Sequence, residues 1–167
     1  MSLESLRTVL VRDLTAVRSE VEAYPNDGDL WTLPEGLPNS GGTLALHLAG
    51  NLEHFIGALL GGTGYVRDRD AEFGDRNVPR EEIVARIDAA ITTLRSVLGT
   101  LDARRLEEPF PQAVGGTTLP TGLFLTHLAT HLAYHLGQLD YHRRMVTGQH
   151  EGVGAQSLAA LATGAEG

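Results

Sequence analysis

The chain contains no cysteine. Disulfides, thiolate metal sites and a cysteine nucleophile are excluded at once, and any thiol chemistry would need a thiol brought in from outside. Aromatic residues make up only 5% of the 167 residues, so the core must be built from Leu, Ala, Val and Ile. Basic residues are outnumbered, 13 against 21 acidic, giving a formal net charge of −8. Without a basic cluster, that sign opposes nucleic-acid binding, which depends on Lys and Arg neutralising phosphates. No apolar run approaches the ~18 residues of a membrane span. The N-terminal stretch MSLESLRTVLVRDL alternates charged and apolar residues and has no signal-peptide core. A cytoplasmic location without membrane contact is therefore expected. Two-residue alternation of apolar and polar side chains is also missing, so no strand is predicted.

The helical period is what recurs. Leu3, Leu6, Leu10, Leu14, Val17 and Val21 follow one another at spacings of three and four, predicting a helix over about 2–24 that ends before the turn chemistry of PNDGD. A second helix is predicted from about Ser40 to Leu60, with Asn39 or Ser40 as its cap. Before it lies the Pro/Gly-rich connection LWTLPEGLPNSGG, in which Trp31 is expected to pack the crossover. A third helix starts at Pro79, a residue suited to the first turn, and carries Ile83, Ile87, Ile91, Leu94 and Leu98. A fourth runs from about Thr121 to Val146. An Ala/Leu segment at 155–163 reads as a short fifth helix or a frayed tail. The length suits one domain, 1–167, and the expected fold is all-α, a four-helix bundle whose sites form from side chains facing each other in the core.

The fourth helix carries His127, His131, His135 and His142. At ~100° per residue, these four fall within about 80° of arc, bordering the buried stripe of Leu128, Leu132 and Leu139. His131 and His135, one turn apart, can converge on one metal ion. His127 and His131 share the same spacing. The second helix supplies partners in TLALHLAGNLEHFIG: His47 and His54 share a face, with Asn51 between them. A set of His47, His131 and His135 gives three neutral nitrogen donors and leaves coordination positions open, as a catalytic metal site requires. Asn51, His54, His127, Gln138 and His142 are candidates for orienting ligands or lining a substrate pocket, the histidines alternatively for local hydrogen bonding. Gln138 can reach toward the histidine face. Glu53 lies about 120° from His47 on the helix and points away, so no catalytic base is fixed in the sequence. Gly50 and Gly137 are costly inside helices, and close helix approach near the metal is the expected reason for both. RDRDAEF, 67–73, is expected to form a loop ion-pair network against the bundle, with Phe73 inserted.

NSGGTLALHLAGNLEHFIGALLGG, RDRDAEF and HLAYHLGQL together resemble the DinB/YfiT-like superfamily, across about residues 5–146. The resemblance implies a four-helix bundle holding one divalent metal, usually nickel or zinc, through three histidines that map onto His47, His131 and His135. It also implies a homodimer, and for some members a transferase or isomerase activity that uses a low-molecular-weight thiol. The expectation is thus a metal-dependent enzyme acting on a small-molecule substrate, with thiol-dependent S-transfer as its leading form. A metal-dependent hydrolase, a non-catalytic metal- or small-molecule-binding stress protein, and a metal-free bundle with packed histidines are the alternatives.

Overall fold

The computed structural model describes residues 2–155 and 157–163. Four long helical segments make the bundle. Helix α1, Leu3–Glu22, is capped by the Ser2 side chain, which accepts from the Ser5 N–H. A short helix α2, Asp27–Trp31, follows, capped by Asn26. PNDGD is therefore not only a turn: its Asn side chain satisfies the Asp29 N–H at 3.0 Å and starts a new helix. Helix α3, Gly41–Leu52, starts on the Ser40 cap. Its continuation departs from the single helix predicted to Leu60. Residues Glu53–Ala58 form a π-helical stretch, and α4, Leu59–Gly61, ends at Gly62 in the left-handed conformation. The segment expected as a loop at 67–73 contains helix α5, Arg69–Gly74, capped by the Asp68 side chain. Helix α6, Arg80–Thr100, and helix α7, Thr121–Thr147, complete the bundle. The short C-terminal helix α8 spans Leu158–Thr163, while residue 156 of the predicted segment lies outside the described residues, as do 1 and 164–167 of the predicted domain. Among the described residues there is no strand, only two isolated bridges in the 109–120 connection.

Helices α1 and α3 each pack against both α6 and α7. Leu6, Leu10, Leu14, Val17 and Val21 of α1 meet Ile83, Ile87, Leu94 and Leu98 of α6, and Leu125, Leu128, Leu132, Leu136 and Leu139 of α7, in one buried core. These are the positions the helical period selects, because only they face inward on every turn. Every residue of α3 is buried. A helix this apolar on all sides is central, and small residues let its neighbours approach: Trp31 lies against Gly42, and its indole N–H donates to the Val78 carbonyl at 3.2 Å.

Helices α3 and α7 run antiparallel. Gly41 sits beside His142, His47 beside His131, and Phe55 beside Phe124 with ring centroids 5.0 Å apart. This register brings the two histidine-bearing stretches together. At the far end, Gly41 also abuts the Tyr24 hydroxyl, which lies 2.7 Å from His142 Nδ1.

Candidate metal centre

His47, His131 and His135 come together where α3 crosses α7, and one ring nitrogen from each lies within 4.8 Å of the others. The Nε2 atoms of His47 and His131 are 3.4 Å apart. Tetrahedral Zn–N bonds of ~2.0–2.1 Å place two ligand nitrogens about 3.3–3.4 Å apart, so this pair already has the separation of two ligands of one ion. The His135 ring stands edge-on to both, at centroid distances of 4.5 Å from His131 and 5.5 Å from His47.

Two of the three outer ring nitrogens have side-chain partners. His135 Nδ1 lies 2.6 Å from Gln138 Oε1, which can only accept, so Nδ1 carries the proton and Nε2 is free to ligate. His47 Nδ1 lies 3.1 Å from Glu72 Oε2, an acceptor, and farther, 3.3 Å, from Arg67 Nη2, a donor; the nearer carboxylate accepts the Nδ1 hydrogen bond. Arg67 holds that carboxylate as a fork, Nε donating to Oε1 and Nη2 to Oε2, both at 2.7 Å. His47 thus donates from Nδ1 and turns Nε2 toward His131, the arrangement by which outer carboxylates orient metal-ligating histidines. Phe73 packs on the His47 ring at 4.9 Å, with the Arg69 guanidinium over its other side.

RDRDAEF is therefore an ion-pair network against the bundle, as expected. That its Arg67 and Glu72 aim a metal-ligand candidate was not read from the sequence. The pair is brought to His47 by the chain reversal after Gly62, and no helical spacing relates it to His47. The signal that could have found it is Gly50. A Cβ at this position would overlap Glu72 Oε1, so the glycine makes room for the carboxylate. For Gly137 the expectation of close approach fails: nothing lies within 4 Å of a Cβ built there.

The remaining candidates take separate places. Asn51 is buried one turn beyond His47. His54 is half-buried, stacked edge-on against Phe55 and hydrogen-bonded to Gln112. His127 is exposed, beside Phe124 and 6.1 Å from the His131 ring. His142 is locked elsewhere, between the Tyr24 hydroxyl and the Thr32 carbonyl, 2.9 Å from Nε2. Glu53 turns away from the cluster, as its helical position implies, and accepts from Thr93 on α6 at 2.9 Å.

The chain belongs to the DinB superfamily. The model of that family matches residues 10–139, a span that includes all three converging histidines and the Arg67–Glu72 pair. No curated protein and no solved structure gives a significant match. In this DinB chain, the described residues contain no helix long and apolar enough to cross a membrane.

Burial favours the neutral, ligand-competent form of His131 and His135. Burial first, and then the neighbouring His135, His47, His127 and Arg67, push the His131 pKa down to about 4. Burial also lowers His135 against the opposing Gln138 hydrogen bond, and lowers His54 and His142. Burial raises Glu72, but the hydrogen bonds and charges of Arg67 and His47 outweigh it and hold the carboxyl below its ordinary value. A histidine depressed in the folded state takes up protons more readily when unfolded, so stability falls as pH drops from ~6.5 toward the folded-state value. Metal-free protein is accordingly expected to lose melting temperature between about pH 6.5 and 4. His131→Phe should flatten that slope, as measured by thermal melts in chelator. An unchanged slope in the variant would remove His131 as its source.

Proposed function

We propose that His47, His131 and His135 hold one divalent ion, nickel or zinc, and that the protein is a metal-dependent enzyme that joins a low-molecular-weight thiol to a small electrophilic substrate. The observation that carries the metal reading is the convergence of three ring nitrogens, with the Nε2 atoms of His47 and His131 3.4 Å apart and His47 aimed by Glu72 and Arg67. With its Nδ1 proton directed to Glu72, His47 presents a lone pair from Nε2 toward His131, at the separation of two ligands of one ion. An all-nitrogen donor set suits zinc, nickel, copper or iron.

Bound there, the ion would supply a Lewis acid able to lower a thiol pKa or polarise an electrophile. The chain contributes positioning. Glu72 and Gln138 fix two ring orientations, while exposed His127 and Gln138 flank the cluster on the solvent side. In the transfer, the thiol sulfur forms a bond to the electrophilic carbon, and the leaving group departs with the thiol proton. One observation favours this over hydrolysis. The Glu72 carboxylate is occupied by Arg67 and His47, and Glu53 is bound to Thr93 across the bundle, so neither is free to act as the base for an attacking water. The thiol of this reaction is a cosubstrate, since the chain has no cysteine. The expected homodimer belongs to the same proposal, and Tyr134, Tyr141 and Met145 of α7 are exposed apolar surface that it would cover.

Elemental mass spectrometry of untagged protein is expected to find about one nickel or zinc per chain. Thiol consumption with an electrophile such as a haloalkene should then require that metal, vanish after chelation and return on reloading. A protein with no metal and no uptake of either ion would sink the reading. Metal without thiol turnover would leave a non-catalytic metal protein.

A further inference from the structure

Asn51 is 7% exposed, and its Oδ1 is buried without a hydrogen-bond partner. An unpartnered buried carboxamide oxygen destabilises the fold relative to one that is satisfied, and such groups are rare enough in folded proteins to call for an explanation. Its position supplies one. At i+4 from His47 it lies on the same face of α3, one turn on. The antiparallel register, which sets His47 beside His131 and Phe55 beside Phe124, puts Asn51 opposite the turn of α7 between His127 and His131. The polar side chains nearest along α3 have their hydrogen bonds elsewhere, His47 to Glu72, His54 to Gln112 and Glu53 to Thr93. The free carboxamide therefore flanks the three-imidazole cluster on the side where α3 and α7 continue toward Phe55 and Phe124.

We propose that Asn51 is a ligand-binding residue of this centre: its Oδ1 accepts a hydrogen bond from an N–H or O–H of the small oxygen- or nitrogen-donor ligand that fills the open coordination position. This rests on the metal reading above. The residue is kept polar at the expense of stability because its partner arrives with the ligand.

The test uses cobalt-loaded full-length protein, wild type beside Asn51→Leu and Asn51→Ala, titrated with acetohydroxamate and followed by the visible cobalt bands. Both variants should retain one cobalt per chain. Hydroxamate affinity should fall about tenfold or more in each, a loss that a purely structural role would not produce with metal content unchanged. Metal-free Asn51→Leu, a swap of the same heavy-atom branching that removes the buried unpaired oxygen, should melt at or above the wild-type temperature. Equal hydroxamate affinity in wild type and whichever variant folds overturns this proposal alone. Wild-type protein that takes up no cobalt overturns the metal reading and this proposal with it.

Discussion

His131→Ala is expected to abolish retention of metal through purification, and Glu72→Gln to weaken metal binding by about 10–100-fold. The two effects differ because the residues act at different distances from the ion. His131 contributes a donor atom, 3.4 Å from that of His47, and its loss leaves two nitrogens, too few for a site that must also keep an open position. Glu72 contributes no donor. It accepts from His47 Nδ1 and is itself gripped by Arg67, so it fixes the tautomer and the orientation of the imidazole. Glutamine keeps the shape, removes the charge and offers an amide where Arg67 needs a second acceptor. Gly50→Ala should reproduce the Glu72→Gln loss by a steric route. Its new Cβ would occupy the place of the carboxylate, outweighing the ~1 kcal/mol helix-propensity gain of alanine over glycine. Competition titrations with a chromophoric chelator would measure all three. Wild-type affinity in Glu72→Gln would show that the Arg67–Glu72 pair only packs the loop.

The second large effect concerns stability at the other end of α7. Glu20 of α1 and Arg143 of α7 form an ion pair with Nε–Oε2 at 2.5 Å, each side chain 1% exposed. The same guanidinium reaches Asp140, Gln149 and the Glu151 carbonyl, so it anchors the segment after α7 as well. Glu20→Ala strands a buried cation and is expected to cost about 3–5 kcal/mol. At roughly 2–4 °C per kcal/mol for a chain of this size, the melting temperature should drop by ~10 °C. The double variant Glu20→Leu/Arg143→Met removes both charges and refills the volume. It should recover most of that loss, since isosteric apolar pairs often match a buried ion pair, though the 149–151 segment would be released and become more susceptible to protease. Urea unfolding of the two variants decides the matter. A Glu20→Ala protein within 0.5 kcal/mol of wild type would mean that Asp140 and the Gln149 contact alone satisfy Arg143.

How legible the site was depended on locality. The four bundle helices follow from apolar spacing because a helix repeats its inward face every 3.6 residues whatever it packs against. His131 and His135 are legible for the same reason: four residues apart on one helix, they must share a face. His47 could be nominated by its own helix but not paired, because the pairing depends on the antiparallel register of α3 against α7. His142, on the same arc as His131, shows the limit of helical arithmetic. It shares their face, yet two turns further along it meets Tyr24 and Thr32 instead of the cluster.

The sequence by itself determined the all-helical class, the core leucines and isoleucines, the start of α3 near residues 39–40, and the membership of His131 and His135 in one face. Each depends on residues within a turn or two of one another. The tertiary structure alone decided that Glu72 and Arg67 orient His47, that Gly50 exists to admit that carboxylate, that Gly137 has no such neighbour, and that the helix after Leu52 shifts to a π-helical stretch. These depend on contacts across the fold, 25 residues between His47 and Glu72 and 84 between His47 and His131, where local periodicity carries no information and only the packing of whole elements fixes which atoms meet.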